Sequence, residues 1–186
     1  MRRVSVVGIT GAGKTTFARA LAQRLGVPFI ELDALHWGPG WSAATPEELA
    51  RRVREATAAD AWVVDGGYWG KIGGLVWSRA DTVVWLDPPW LLTFVRILQR
   101  TIRRSLARTD LWNGNRESLR EAFTSRQSLL LYSIRTSRHR RQVWEERISL
   151  PEYAHITVHR FRSQRAADEW LAAERPVPAD CRECTV

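Results

Sequence analysis

Gly8-Ile9-Thr10-Gly11-Ala12-Gly13-Lys14-Thr15 is the stretch of sequence that decides the fold. A β-branched run over residues 4–7 leads into it, and apolar residues at helical spacing follow from Lys14 to Leu25. The order is therefore a strand, a glycine-rich loop and a helix. This succession indicates an α/β protein whose first loop lies at the carboxyl end of its first strand.

The pattern G-x-x-x-x-G-K-[ST] in this stretch is typical of a phosphate-binding loop. Its glycines allow backbone N–H groups to face a β-phosphate, while Lys14 reaches the β and γ oxygens. Thr15 offers a hydroxyl to Mg²⁺, and the helix adds the positive end of its dipole. The alternative is a glycine-rich turn with a surface lysine, but Lys14 is one of only two lysines in the chain. We predict a site for ATP and Mg²⁺ formed by Gly8, Gly11, Ala12, Gly13, Lys14, Thr15 and Thr16.

Four further strand patterns alternate with helical patterns along the chain. The strands are predicted at residues 29–33, 61–65, 82–87 and 156–159, and the helices after the first at about 46–57, 90–104, 116–146 and 163–173. Five strands alternating with helices indicate a parallel sheet covered on both faces, the three-layer α/β/α fold of P-loop NTPases. We predict one domain over residues 1–174 and a disordered tail over 175–186.

The composition is that of a folded domain without a membrane segment. A chain of 186 residues with 45% hydrophobic content can bury a sizeable core. It contains no run of eighteen apolar residues and enters its first strand directly, so we expect a cytoplasmic protein that does not act on membranes. Cys181 and Cys184 form a C-x-x-C in the tail with no second ligand pair beside it, which disfavours a metal or redox role.

The net charge of +8 comes from arginines that cluster between Arg96 and Arg147. Such a segment attracts phosphate groups, of a nucleotide or of nucleic acid, and charge alone does not separate the two. Four of these arginines recur three to four residues apart, on one flank of a helix: Arg96, Arg100, Arg103 and Arg104. They are either a clamp on transferring phosphate or an ordinary solvated helix face.

Two aspartates end predicted strands on the side of the phosphate loop. Asp65 ends an apolar strand, which is the pattern of an acid that holds Mg²⁺ in a phosphate-loop protein. Asp65-Gly66-Gly67 is also an ordinary turn sequence. Asp33 could accept a proton from an acceptor hydroxyl, lie in the shell of a bound metal, or cap a helix. Both are candidates for the site.

Three of the ten tryptophans lie in loops at the same predicted edge: Trp37, Trp41 and Trp69. They are placed either to stack on a flat substrate or to close as a hydrophobic lid.

Longer motifs resemble the adenylate-kinase-like P-loop kinases, a group that includes shikimate and gluconate kinases. Within that group the chain is most similar to the family labelled DNA topology modulation protein, FlaR-like. The resemblance covers about residues 3–172 and rests on Leu32-Asp33-Ala34-Leu35-His36-Trp37 with Pro39-Gly40-Trp41, on Trp62-Val63-Val64-Asp65-Gly66-Gly67-Tyr68, and on Ala80-Asp81-Thr82-Val83-Val84-Trp85-Leu86-Asp87.

The resemblance implies a strand order of 2-3-1-4-5 and several site residues. Asp87, Pro89, Arg96 and Arg100 match a spacing in which the first arginine packs on adenine and the second reaches phosphate. A short arginine-rich lid would cover residues 105–115 with Arg108 facing phosphate, and Ser163 and Gln164 would border the adenine. Asp33 corresponds to the acid that shikimate- and gluconate-type kinases place after their second strand. No monophosphate-binding segment of the adenylate kinase kind is recognisable.

Two functions are compatible with these observations. The favoured one is an ATP-dependent phosphotransferase acting on a small hydroxyl- or phosphate-bearing molecule, a nucleoside or nucleotide among them, with Lys14, Asp33, Arg100 and Arg108 as its catalytic residues. The other is a regulatory ATP-binding protein that contacts DNA through its arginine-rich helices and has little transferase activity. We favour the first because the sequence carries no nucleic-acid-binding motif.

Overall fold

The central sheet has five parallel strands in the order β2-β3-β1-β4-β5 in a computed structural model, which describes residues 1–106 and 141–176. The strands are β1 (Arg3–Gly8), β2 (Phe29–Glu31), β3 (Trp62–Asp65), β4 (Thr82–Leu86) and β5 (Thr157–Phe161). Both the parallel α/β fold and the strand order expected from the family resemblance are confirmed.

Besides two short 3-10 turns at Pro39–Trp41 and Pro151–Tyr153, seven α-helical segments connect or flank the strands in the described part of the chain. They are α1 (Lys14–Leu25), α2 (Leu32–His36), α3 (Pro46–Ala56), α4 (Trp69–Ile72), α5 (Trp90–Leu106), α6 (helical over residues 141–148) and α7 (Gln164–Ala173). Local signals set several ends: α1 stops at Gly26 with φ of 69°, and the Glu48 N–H donates to the Thr45 hydroxyl at 3.2 Å to cap α3.

Two hydrophobic clusters lie on opposite faces of the sheet. Successive strand residues point to opposite faces, so Val63 belongs to the cluster under α1 and α7, whereas Val64 belongs to the cluster under α3 and α6. Trp62 and Leu21 are fully buried, one in each cluster. The three-layer arrangement therefore follows from strands that are apolar on both sides.

The segment around Asp33 differs from the prediction. Residues 29–33 were expected to form one strand that ends on the aspartate, but β2 ends at Glu31 and Leu32 begins α2. Leu32 and His36 are both 1% exposed, whereas Ala34 between them is exposed. A strand would place all three side chains on one face, but a helical turn buries Leu32 and His36 and turns Ala34 outward. Asp33 consequently lies in the first turn of α2 instead of at a strand end.

Helix α5 continues through Leu106, two residues into the segment predicted as a lid. The remainder of that segment with Arg108, the predicted helix before residue 141, and residues 177–186 with both cysteines lie outside the described residues. Within the described ranges, no helix combines the length and apolar content needed to cross a bilayer.

Candidate active site

A cleft of about 870 Å³ opens at the carboxyl ends of β1, β2 and β3. Its lining includes most of the residues singled out in the sequence: Gly8, Gly11, Gly13, Lys14, Thr15, Thr16, Asp33, Asp65, Arg96 and Arg100. Ala12 is buried beneath the loop at 2% exposure. The fold therefore brings the phosphate loop, both aspartates and two of the arginines to one cavity.

The shape of the phosphate loop depends on glycine at position 11. Gly11 has φ of +79°, and a Cβ there would lie 2.6 Å from the carbonyl oxygen of Thr93 and 2.8 Å from Ile97 Cγ1. Both neighbours belong to α5, so that helix packs directly against the loop. A larger residue would be strained by its backbone and would push the helix away.

Lys14 and Thr15 begin α1 and point toward different partners. The Lys14 ammonium donates to the Ile9 carbonyl at 3.1 Å, across the loop, and the Thr15 hydroxyl donates to Asp65 Oδ2 at 2.5 Å. The end of β3 is thereby joined to the start of α1. Because the Thr15 proton is directed at Asp65, the hydroxyl lone pairs are left for a cation.

Asp65 is buried, with 4% of its surface exposed. Burial raises the pKa of this carboxyl, while the Lys14 ammonium and the Thr15 hydrogen bond act in the opposite direction. Its Oδ1 atom is buried without a hydrogen-bond partner. A buried carboxylate oxygen that lacks a donor is suited to a cation or to the water shell of one.

The residues present fit Mg²⁺ carried by a nucleotide. No group of three or more His, Cys, Asp or Glu residues that could hold a metal occurs in the part of the chain the structure describes. Mg²⁺ at phosphates takes only one or two protein ligands and completes its shell with phosphate oxygens and water. Thr15 and Asp65 together supply that number.

Asp33 is held by Tyr68, which follows β3. The Tyr68 hydroxyl donates to Asp33 Oδ1 at 2.6 Å, and burial together with the Asp33 charge raises the pKa of this tyrosine. Tyr68 therefore remains a proton donor, which leaves Asp33 Oδ2 for another group. This role of Tyr68 was not predicted, although the residue closes the Asp65-Gly66-Gly67-Tyr68 motif.

Aromatic side chains form much of the remaining wall of the cleft. The lining includes Trp37, Trp41, Tyr68, Trp69 and Trp144. The guanidinium of Arg147, on α6, lies 4.5 Å from the centroid of the Trp69 ring and 5.3 Å from that of Trp144. Sequence patterns did not single out Arg147, because its approach to the cleft depends on how α6 packs.

At the other end of the cleft, α5 meets α7 beside the phosphate loop. Arg96 Nη1 donates to Gln164 Oε1 at 3.4 Å, and a Cβ at Gly13 would lie 3.7 Å and 3.5 Å from these atoms. The Ser163 hydroxyl accepts from the Ala166 N–H at 3.3 Å and caps α7. Arg96, Ser163 and Gln164 thus lie together next to the loop, and their contact with a base remains a prediction.

Asp87 serves a structural purpose at the end of β4. It is 2% exposed and receives Arg141 at 2.6 Å on one oxygen and Arg160 at 2.6 Å on the other. Arg141 belongs to α6, so this carboxylate fixes the helix that carries Trp144 and Arg147. The sequence pattern placed Asp87 at the ligand edge without showing these partners.

The strand order and the phosphate loop define a P-loop nucleotide-binding protein with a kinase fold. Its structure is similar to that of the shikimate kinase from Acinetobacter baumannii in complex with shikimate, with a TM-score of 0.56, 19% identity, and coverage of 92% of this chain and 89% of that one. At this identity the likeness shows the fold alone.

Sequence comparison gives more local similarities. The family model for the ATPase family associated with various cellular activities (AAA) matches residues 4–65, which hold the phosphate loop and Asp65. Shikimate kinase from Ruegeria pomeroyi is 64% identical over 33 residues, 18% of this chain and 17% of that protein. Shikimate kinase from Symbiobacterium thermophilum is 35% identical over 103 residues, 45% of this chain and 56% of that protein. The chain thus spans little more than half the length of the second relative and far less of the first.

Proposed function

We propose that this chain is an ATP-dependent phosphotransferase that acts on a hydroxyl of a small molecule. The observation that carries the proposal is a single cleft whose lining includes both the phosphate loop and Asp33. A donor phosphate and an acceptor hydroxyl can therefore meet in a single cavity, as in-line transfer requires. The similar proteins named shikimate kinase support the same reaction class.

The proposed transfer uses residues of this chain in distinct roles. Backbone N–H groups of the phosphate loop and Lys14 hold the β and γ phosphates of ATP. Thr15 and Asp65 would hold Mg²⁺, which when bound would supply positive charge beside the phosphate oxygens. Asp33 takes the proton of the acceptor hydroxyl while the oxygen of that hydroxyl forms a bond to the γ phosphorus. The bond from that phosphorus to the bridging oxygen then breaks, and ADP leaves.

Arginines complete the proposal at the phosphate end. Arg100 lines the cleft and would stabilise charge on the transferring group, so Arg100→Ala should lower kcat more than it weakens ATP binding.

Arg96 would pack on the base, with Ser163 and Gln164 at its edge, and Arg96→Ala should raise the KM for ATP. Arg108 remains a proposed phosphate-facing residue from the sequence.

The test is acceptor-dependent ADP production. Nucleosides, nucleoside monophosphates and sugar acids are screened for ADP formation above the rate without acceptor. With the best acceptor, Asp33→Asn should lower turnover about a hundredfold or more while ATP affinity and the melting temperature stay near those of the wild type. Asp60→Asn, an exposed aspartate outside the cleft, is the matched control and should keep full activity.

Equal turnover by the Asp33→Asn variant would exclude Asp33 as the base. If no compound stimulates ADP production and the protein instead binds DNA with a steep salt dependence, the regulatory interpretation replaces the enzymatic one.

We also propose, from the sequence motifs, membership of the DNA topology modulation protein, FlaR-like family. The Leu32–His36 helix with its Asp33 and the Gly66-Gly67-Tyr68 turn that holds this aspartate are the parts of the motif that meet in the cleft. A sequence profile built from that family should align with both segments in register, and an alignment that fails at either one would argue against membership.

A further inference from the structure

Two tryptophans of the cleft do not belong to the core. These are Trp37 and Trp41, which are half-buried at the cleft and belong to neither core cluster. Trp69 and Trp144, in contrast, pack in the hydrophobic cluster beneath α3 and α6. Trp37 contacts His36 and Trp41, with ring centroids 4.6 and 5.6 Å apart, and both tryptophans also line the cleft. Indole rings in a cleft offer large, rigid contact surfaces to a ligand.

The loop that carries these rings is fixed by its own hydrogen bonds. Trp37 bridges to Ala43, the Gly38 N–H donates to the Ser42 carbonyl at 2.8 Å, and the Ser42 hydroxyl donates to the Pro39 carbonyl at 3.0 Å. Trp41 lies at the turn that these bonds close. The rings are thus held in place before any ligand arrives, which lowers the entropic cost of stacking.

Trp41 is held in an unfavourable backbone conformation. With φ of 59°, it is the sole residue other than glycine with a positive φ in the described part of the chain. The left-handed region is unfavourable for a bulky residue because its Cβ lies too close to the following carbonyl oxygen. Strain of this kind concentrates at ligand-binding sites, so the strained residue and the cleft point to the same use.

The geometry of the pair is suited to a flat ring. The planes of Trp37 and Trp41 meet at 83° with centroids 5.6 Å apart, an edge-to-face contact that fixes the two rings relative to each other, so they present a rigid aromatic wall to a planar group in the cleft. Trp69 has a guanidinium over its ring and is less available. The carboxylates of Glu31 and Asp33 line the same cleft, and ionised carboxylates accept hydrogen bonds only, which favours a ligand that brings O–H or N–H donors.

We propose that the acceptor half of the cleft binds a compound with a planar conjugated ring and a hydroxyl-bearing group, such as a nucleoside, and that Trp41 and Trp37 select the planar ring. The inference that such a compound is the acceptor rests on the proposed function. The preference for a planar ring can be measured as binding, without turnover. Saturated polyol acids present the hydroxyl but lack the flat face.

The test compares uridine with 5,6-dihydrouridine, which lacks the planar ring, and with methyl riboside, which lacks the base. Binding is measured by isothermal titration calorimetry in the presence of saturating Mg-ADP, with adenosine and guanosine as larger planar probes and with gluconate and shikimate, neither of which has an aromatic ring, grouped as the saturated acids. We expect at least one planar nucleoside to bind about tenfold or more tightly than dihydrouridine and methyl riboside. Trp41→Leu should reduce that ratio toward one without changing ADP affinity.

Two controls keep a folding defect apart from a binding defect. Trp90→Leu replaces a tryptophan that is 49% exposed and lies outside the cleft, and it should retain the wild-type ratio. Trp41→Gly removes the ring and also relieves the positive φ, so it should stay folded with a melting temperature near that of the wild type, yet lose the planar preference.

Equal binding of planar and saturated probes by the wild type, tighter binding of a saturated acid, or an unchanged ratio in Trp41→Leu would overturn the inference. If the planar preference is found but no planar compound stimulates ADP production, the binding inference stands and the proposed transferase function fails. If a saturated acid is phosphorylated instead, the function stands and the inference falls.

Discussion

The buried position of Asp65 makes its negative charge unfavourable in the ligand-free folded protein. Burial raises the pKa of this carboxyl, so the folded state favours the protonated form more than the unfolded state does. The associated stability is fully present below the ordinary pKa of 3.8 and is lost as the pH rises through the higher folded value. At neutral pH the ionised Asp65 therefore lowers the stability of the ligand-free protein, and a bound cation would remove that loss of stability.

Replacing Asp65 by asparagine should consequently separate stability from nucleotide binding. We expect Asp65→Asn to raise the melting temperature of the ligand-free protein and to abolish the strengthening of ATP binding by Mg²⁺. Thermal unfolding without ligand and calorimetric ATP titrations with and without Mg²⁺ measure both effects. A lower melting temperature with an unchanged Mg²⁺ effect would show that Asp65 has a structural role only.

His36 is a buried titratable group beside the cleft. It is 1% exposed, with Nε2 2.9 Å from the Lys71 ammonium, and its pKa is lowered first by burial and then by the charge of Lys71, with Asp33 acting in the opposite sense. The unfolded chain thus binds a proton more readily than the folded one. The stability that neutral His36 supports is present above pH 6.5 and is lost as the pH falls toward the lower folded value.

We therefore expect the free energy of unfolding to decline below pH 6.5 more steeply in the wild type than in His36→Gln. Urea unfolding at several pH values gives the two slopes. His155→Gln, at an exposed histidine, is the control and should keep the wild-type slope. A His36→Gln protein with the same pH dependence as the wild type would assign the decline to other groups.

At the scale of elements, helix α6 is positioned by one carboxylate. Asp87 binds Arg141 of α6 and Arg160 of β5, and Arg160 also donates to Glu145 of α6 at 2.8 Å. The guanidinium of Arg160 lies 3.8 Å from the centroid of the Trp85 ring. The described end of α6 is thereby tied to two neighbouring strands, and with it the Arg147 side chain in the cleft.

Removing that charge should loosen α6 more than the nucleotide end of the cleft. We expect Asp87→Asn to lower the free energy of unfolding by about 2 kcal/mol, because hydrogen bonds to charged groups are lost. It should also raise the KM for the acceptor more than the KM for ATP. The exposed pair Arg165–Glu169 provides the comparison, and Glu169→Gln should change neither quantity measurably. An equal rise of the KM for the acceptor and of the KM for ATP would argue against a selective effect of α6 on the acceptor half of the cleft.

The elements that sequence predicted well are those encoded locally. The phosphate loop, the apolar strands and the capped helix at Thr45 each carry their signal within a few residues. The first two residues of α2 were mistaken for the end of a strand because Leu32 extends the apolar run, and the exposure of Ala34 between buried Leu32 and His36 is what reveals the helical turn. Tyr68, Arg141 and Arg147 acquire their partners through packing between distant segments, which no local pattern contains.

For the whole molecule, the cleft joins three strand ends to helices from both layers, so a ligand there should stabilise the entire domain. Mg-ATP at about a hundred times its Kd adds about 2.7 kcal/mol, which for a chain of this size raises the melting temperature by about 5 to 10 °C. Lys14→Ala should lose most of this increase while keeping the ligand-free melting temperature. Lys71→Ala, at the other lysine, should keep the increase, and a full increase in Lys14→Ala would contradict the phosphate-loop assignment.

The central position of β1 has a consequence for how the protein is made. β1 is synthesised before β3 and β4, which lie on its two sides, and the N–H groups of Arg2 and Arg3 donate to the carboxylate of Asp81, also made later, at 2.8 and 2.9 Å. Parallel pairing over such separations is slow, and unpaired apolar strands are prone to aggregate. Until β3 has been synthesised, β1 therefore lacks both neighbours, and until β4 follows it still lacks one. Shielding this apolar strand during that time becomes a task for the cell's chaperones.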